Sequence, residues 1–334
     1  MKYPNWIYVA LFILASWLFI PKEIPAGQIR AIWTSEVGTF APVWVSKETG
    51  AWKKYGNDVQ LIFIQGATSA VAALLAGDAQ VGFFSPTVAI SSTIRGQEMV
   101  LLARFGNSLD NRIYSRQEIT DLKQVKSIAI SRYGSNADFA ARLLLERAGL
   151  RPDTDVALLQ FGNQINRLAA VETKRADGAI VTPPMTLKAR KMGFRLLVDA
   201  SKLDIPYSSS FIVVRKDYLD KNRETIVNFI KGYIEGLLYY KTRKEESLKI
   251  LSKYLRLSLE KDRDVLEENY REYDFPHKPY PDTKYIELPI KELARKEPKV
   301  LRENPRRFVD PSIVRDLDES GFIDRLTKEY GLTK

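Results

Sequence analysis

Between Gln28 and about Ser201 the sequence passes twice through one plan, and this repetition limits the possible folds more than any single motif does. In the first pass, IRAIW leads into a helical segment at residues 40–55, VQLIFIQ into 68–76 and VGFF into 86–95, and MVLLARF closes the series. In the second, SIAIS precedes the helix within SRYGSNADFAARLLLERAGL. VALLQF then precedes 163–174, GAIV precedes 184–191, and FRLLVD ends the run. Apolar runs alternating with amphipathic segments are β-α-β order, which calls for a mostly parallel sheet covered by helices. At an offset of 97 positions Thr34 falls on Ser131, Val59 on Val156, Pro86 on Pro183 and Gly96 on Gly193, and Asp78 comes within two residues of Asp177. FFSPTVAISSTIRG and AIVTPPMTLKARKMG therefore share one design: a strand ending in Ser-Pro or Thr-Pro, a helix, then a glycine. Proline fits the first helical turn, where its missing N–H has no intrahelical acceptor, and glycine reaches the left-handed conformation that ends a helix. Several matches in one register predict two similar α/β lobes.

The rest of the chain is different. NRETIVNFIKGYIEGLLYYKT puts Ile226, Phe229, Ile230, Tyr233, Ile234, Leu237 and Leu238 on one helical stripe. EESLKILSKYL and RDVLEENYREY continue as helices, DFPHKPYPDTKYIELP reads as a proline-rich surface loop, and PSIVRDLDESGFIDRL is helical with a stop at Gly321. Residues 226–334 are thus expected to form a helical appendix on the lobes.

Composition removes whole classes of chemistry. The chain has no cysteine, which excludes disulfides, thiolate metal sites, thiol nucleophiles and a lipid-bearing cysteine. Its one histidine, His277, lies in the proline-rich loop and is no candidate general base. No G-x-S-x-G elbow, P-loop or G-x-G-x-x-G occurs, so no catalytic residue, cofactor or metal is assigned. The net charge of +10 is spread along the chain and mixed with acids, as in KTRKEESLK. It reads as a solvated basic surface, with no nucleic-acid partner. The uncharged run IYVALFILASWLFI is too short to cross a ~30 Å hydrocarbon core and suits an export signal. Residues 1–26 are expected to be a signal peptide cleaved near Ala26, an uncleaved anchor being the alternative.

Ligands of α/β units sit outside the carboxyl ends of the strands, where helix N-termini offer unpaired N–H groups. The turns at those ends supply the candidate binding residues. In the first lobe they are Thr34, Glu36, Gly38 and Phe40, then Gly66, Ala67 and Thr68, then Ser85 and Thr87. In the second they are Tyr133, Gly134, Ser135 and Asn136, then Thr182 and Pro183, with 162–164 as a further turn. Ser, Thr and Asn are also ordinary helix caps, but matched turns in two lobes can face one another across a cleft. Trp33, Phe40, Phe84, Tyr133 and Tyr207 are candidates for its apolar wall. A bulky residue at Ser135 is expected to abolish binding at little cost in stability.

On GATSAVAALLAGDAQVGFFS, DLKQVKSIAISRYGSNADFAARLLLERAGL, ADGAIVTPPMTLKARKMGFRLLVDAS and the terminal LDESGFIDRL, the chain resembles the SsuA/THI5-like (NMT1-like) periplasmic substrate-binding proteins of ABC importers. The resemblance runs from about Gln28 to Leu326. It implies a type II periplasmic binding protein fold: two α/β lobes joined by a two-strand hinge, with a C-terminal helical extension. The first lobe would take 27–112, the second 113–205, and 206–334 would return to the first and add the C-terminal helices, with crossings near 107–122 and 199–212. It further implies a monomeric periplasmic receptor that carries a sulfonate, nitrate, taurine or a pyrimidine-like solute to a membrane permease. Two departures stand out. Many relatives are lipoproteins anchored through a cysteine that is missing here. The THI5-type synthases use histidine and a cysteine-rich motif, whereas this chain has only His277. An enzyme of that type, or a membrane-anchored sensory module, is the alternative reading.

Overall fold

The computed structural model describes residues 27–203 and 205–332; the signal-peptide expectation for 1–26 lies outside them. The first repeat forms β1 (Gln28–Trp33), α1 (Ala41–Glu48), α2 (Ala51–Lys54), β2 (Asp58–Phe63), α3 (Ala67–Ala76), β3 (Val81–Phe84), α4 (Pro86–Ile94) and β4 (Met99–Arg104). Gly50, at φ 72°, separates α1 from α2 where a single helix was expected. After β5 (Arg112–Ser115) the second repeat forms β6 (Ser127–Ile130), α5 (Asn136–Arg147), β7 (Ala157–Gln160), α6 (Gln164–Glu172), β8 (Gly178–Val181), α7 (Met185–Lys191) and β9 (Arg195–Asp199). The chain continues through β10 (Phe211–Arg215), α8 (Lys216–Lys221), α9 (Arg223–Thr242), α10 (Lys244–Leu255), α11 (Arg263–Glu272), α12 (Glu287–Ala294), α13 (Ser312–Glu319) and α14 (Phe322–Glu329).

The two sheets have strand orders β2-β1-β3-β10-β4 and β7-β6-β8-β5-β9. Counted within each repeat, both read second, first, third, inserted strand, fourth. The inserted strand is antiparallel to its neighbours in both sheets and slips register at matching points, Ile212/Val213 and Ile113/Tyr114. Each inserted strand is contributed from across the molecule: β5 follows the first repeat and β10 follows the second. The chain therefore crosses between lobes twice, and the expected two-lobed α/β architecture is present.

The long helix α9 is not an appendix. Ile226, Phe229, Tyr233 and Leu237 lie in the same buried cluster as Trp44, Trp52 and Phe83. Gly236 allows this, because a Cβ there would come within 2.9 Å of the Pro42 carbonyl and 2.8 Å of the Ser46 amide of α1. Trp52 stacks on Phe229, ring centroids 4.9 Å apart, and donates to its carbonyl at 3.1 Å. A helix with a wide apolar stripe becomes a core member when the facing helix comes this close.

The proline-rich stretch is likewise only in part a surface loop. Phe275, Tyr285 and Ile286 are buried, and α12 starts at Glu287 with Pro289 in its first turn. Ile290 and Leu293 pack with Ala89 and Ile90 of lobe one, and Leu288 packs against the core of lobe two. This segment straps the lobes together. Among the described residues no helix is long and apolar enough to cross a membrane.

Candidate functional site

Because β1, β2 and β3 run parallel, as do β6, β7 and β8, each lobe collects its strand ends along one edge. The two edges meet at Gly66: with φ 92° it turns the chain into α3, and a Cβ there would lie 3.8 Å from Nη1 of Arg132 in the other lobe.

The turns of lobe one differ in what they expose. Thr34 donates to the Phe83 carbonyl at 3.3 Å and ties β1 to β3. Glu36 swings outward to Arg256 at 3.1 Å. Phe40 is buried against Trp33 and Phe105, so its ring belongs to the core, not the cleft wall. Gly38 passes under Asn269 of α11, where any Cβ would overlap the amide; among the described residues neither Oδ1 nor Nδ2 of this fully buried asparagine has a partner. Ala67 and Thr68 open α3. Ser85 caps α4 by accepting from the Thr87 amide at 3.4 Å, while the buried Thr87 Oγ1 has no partner among the described residues.

In lobe two, Tyr133 is 54% exposed and folds back on its own sheet, its hydroxyl donating to the Leu158 carbonyl at 2.8 Å. It forms no cleft wall. The Gly134 amide donates to Asp138 at 2.7 Å. Ser135 caps α5, accepting from the Asp138 amide at 3.3 Å and from the Ser131 hydroxyl at 2.7 Å. The expectation that Ser135 can be enlarged cheaply is thereby corrected, since losing such a cap costs about 1 kcal/mol. Asn136 is the turn residue that reaches the centre: it accepts from Tyr207 at 2.5 Å and donates to Asn111 at 3.2 Å. The Thr182 amide donates to Gln164 at 2.6 Å, and the Pro183 carbonyl accepts from Tyr273 at 3.1 Å.

Tyr207, on the return crossing, is the hub. It is fully buried, stacks on Phe139 at 5.0 Å, and its hydroxyl meets Asn136 from lobe two and Ser85 from lobe one. Burial raises its pKa, and the nearby Asp110 carboxyl raises it further. Asp110 lies on the other crossing. Burial pushes its carboxyl up to about 6, although the neighbouring Tyr273 hydroxyl and the charge of Arg112 pull the other way, and among the described residues its Oδ1 has no partner. Burial opposes the charge of Arg112 too. Even so, Glu272 at 2.5 Å and Asp199 at 3.0 Å hold the guanidinium above its ordinary pKa. In lobe two the buried Arg167 donates to the Ile180 carbonyl and has no carboxylate partner among the described residues, and burial alone lowers it to about 9. Fixed donors and acceptors on rigid strand ends, several of them unsatisfied, can hold a small polar molecule.

Of the expected residues, Ser85 and Asn136 meet at Tyr207. Thr68, Thr87 and Gly134 line one cavity of about 570 Å³. Thr34, Glu36, Phe40, Tyr133 and Ser135 spend their side chains elsewhere. Sequence reasoning missed Asp110, Asn269, Glu272 and Tyr273. The last three lie in or just after α11, outside the repeat that pointed to the other turns.

The sequence matches the family described as NMT1/THI5 like over residues 38–247. No curated protein sequence matches it. Among solved structures, the periplasmic aliphatic sulphonate binding protein SsuA of Escherichia coli is similar with a TM-score of 0.69 at 17% identity, over 85% of this chain and 92% of that one. The periplasmic nitrate-binding protein NrtA of Synechocystis PCC 6803 gives 0.71 at 15% identity, over 89% of both chains. A Candida albicans gene product described as having the generic periplasmic binding protein fold gives 0.69 at 17% identity, over 85% and 96%. The two-lobed architecture is thus the periplasmic binding protein fold.

Proposed function

This chain belongs to the NMT1/THI5-like family, and from that membership we propose that it is a non-catalytic, extracytoplasmic receptor. In this reading it closes on a small anionic or heterocyclic solute between its lobes and delivers it, as a monomer, to an ABC-type permease. The observation that supports this most is the buried Tyr207 hydroxyl, which Ser85 and Asn136 approach from opposite lobes. A residue held by both lobes links closure to the state of the cleft, as hinge-closing receptors require. The sulfonate- and nitrate-binding neighbours of the same fold agree with it.

A thermal-shift panel of sulfonates, nitrate, pyrimidines and amino acids tests the proposal. A true solute at a hundredfold excess over Kd stabilises the closed form by about 2.7 kcal/mol. If no compound raises the melting temperature and scattering shows no compaction, the receptor reading fails.

One observation favours a second reading, an enzyme on the same frame. A carboxyl pushed up to about 6 beside two tyrosines suits general acid–base chemistry. Turnover of a panel compound, abolished in Asp110→Asn, would establish it.

A further inference from the structure

Helix α11 meets the two lobes with different chemistries. Toward lobe one, Leu266 enters the aromatic core, Tyr270 packs on Tyr240 with ring centroids 4.9 Å apart, and Asn269 lies buried against Gly38. Toward lobe two, Asp264, Glu268 and Glu272 stand four residues apart, the spacing that sets side chains in one row along a helix. Each meets a cation of lobe two. Asp264 pairs with Lys191, Glu268 with Arg190, and Glu272 with Arg112 at 2.5 Å. Two further bonds join the row: Glu268 accepts from the Thr186 hydroxyl at 2.7 Å, and the Tyr273 hydroxyl donates to the Pro183 carbonyl at 3.1 Å.

The rungs differ in burial. The side chains of Asp264 and Lys191 are half exposed, whereas those of Glu268 and Arg112 keep only 6% and 7% of their surface. Glu268 cannot give up Arg190 and Thr186 where it stands, because a carboxylate left buried without partners is strongly unfavourable. The row therefore releases lobe two as a unit, by a movement that returns its carboxylates to water. We infer that this acidic row is an electrostatic clasp that holds the lobes closed before any solute arrives. The clasp goes beyond the receptor reading and rests on it only for a consequence. A solute enters through the openings that the clasp permits, so ionic strength sets how often the cleft is accessible.

The test needs no solute. The chain has no cysteine, so spin labels attach only where cysteines are introduced. Helix α11 packs against both α10 and α7, and Lys249→Cys on α10 with Lys188→Cys on α7 labels two exposed positions across it. Pulsed electron–electron distances in the full-length protein are expected to show one short population in low salt, with a longer, open population growing as salt is added. Arg190→Glu with Lys191→Glu sets acids against the row. Both side chains are about half exposed, so the fold is expected to survive, and thermal melting checks it. If the pair unfolds, Lys191→Glu alone replaces it. The ratio of open to closed is expected to rise roughly tenfold, and the salt response to reverse sign, because salt now screens a repulsion. A parent already open in low salt, a distance unchanged in the reversed variant, or a salt response of the parent's sign would each overturn the clasp. The receptor reading fails separately, when no compound of the thermal-shift panel stabilises the protein, and the distances report the clasp whatever that panel shows.

Discussion

The two lobes share a sheet plan and differ in what finishes them. Lobe one buries α9 and a run of aromatic rings, Trp33, Phe40, Trp44, Trp52, Phe83, Phe105, Phe229 and Tyr233. Lobe two closes on mostly aliphatic residues such as Ile128, Ile130, Leu144 and Leu145, and its edge strand β7 is only partly covered. The C-terminal helices go to lobe one and only touch lobe two. Glu268 of α11 accepts from Thr186 at 2.7 Å and pairs with Arg190, and Lys191 pairs with Asp264. A repeat can thus specify two equal sheets while the unrepeated remainder enlarges the core of one lobe and meets the other through polar and strap contacts.

The largest expected effect tests that asymmetry. Phe229→Ala empties the space beside Trp52 and is expected to cost about 3–5 kcal/mol, lowering the main calorimetric transition. Leu144→Ala in lobe two is expected to cost about 2–3 kcal/mol and to split off an earlier, smaller transition. A single shared transition in both variants would show that the strap and α11 fuse the lobes into one cooperative unit.

The next effect belongs to the crossing between lobes. Folded Asp110 keeps its proton up to about pH 6, whereas the unfolded chain releases it near ~3.9. The folded state therefore binds more protons in that window, and the stability contributed is complete at acid pH and lost as pH rises through it. Asp110→Asn is expected to be more stable than the parent by about 3 kcal/mol at pH 8, with the difference vanishing below about pH 4. Asp199 and Asp177 are depressed and slope the other way, but they do so in both proteins and cancel in the comparison. A pH-independent difference would mean that Asp110 ionises normally in the fold.

Smaller again is Tyr207→Phe, which keeps the ring stacked on Phe139 and leaves Asn136 and Ser85 without their shared partner. A loss of about 1 kcal/mol in stability is expected. Affinity for a panel solute is expected to fall roughly tenfold, the equivalent of about 1.4 kcal/mol. Affinity unchanged against the lost stability would separate the hub from the binding site.

How far the sequence exposed all this follows from where its information is periodic. The strands VGFF and GAIV are found at their expected limits, because a short apolar run bounded by turn residues has one reading in a β-α-β series. The inserted strands were harder to read, since β5 and β10 pair across the chain and no local pattern announces a partner 63 or more residues away, as for Ser115 and Gly178. At the site, Gly66 and Asn136 were visible as turn residues. That Ser135 points into its own helix, and that Asn269 covers Gly38, are facts of side-chain direction set by tertiary packing. The α9 stripe was plain, but an amphipathic stripe says only that something covers it; the close approach permitted by Gly232 and Gly236 decides what.

The smallest expected effect compares one serine cap from each lobe. Ser85 opens α4 in lobe one and Ser135 opens α5 in lobe two, and they cap differently. Ser85 accepts only from the Thr87 amide at 3.4 Å, near the outer limit for a useful bond, while the helix already has Pro86, which lacks the N–H that would need a partner. Ser135 accepts from Asp138 at 3.3 Å and is itself held by Ser131 at 2.7 Å, and Asp138 returns a bond to the Gly134 amide at 2.7 Å. Its reciprocal network fixes three residues of the turn at once. Ser135→Ala is therefore expected to cost about 1 kcal/mol, and Ser85→Ala, made in the Tyr207→Phe background so that only the cap is removed, less than half of that, read as the shift in urea midpoint at constant slope. Equal costs would mean that the added bonds from Ser131 and to the Gly134 amide contribute nothing to the Ser135 cap.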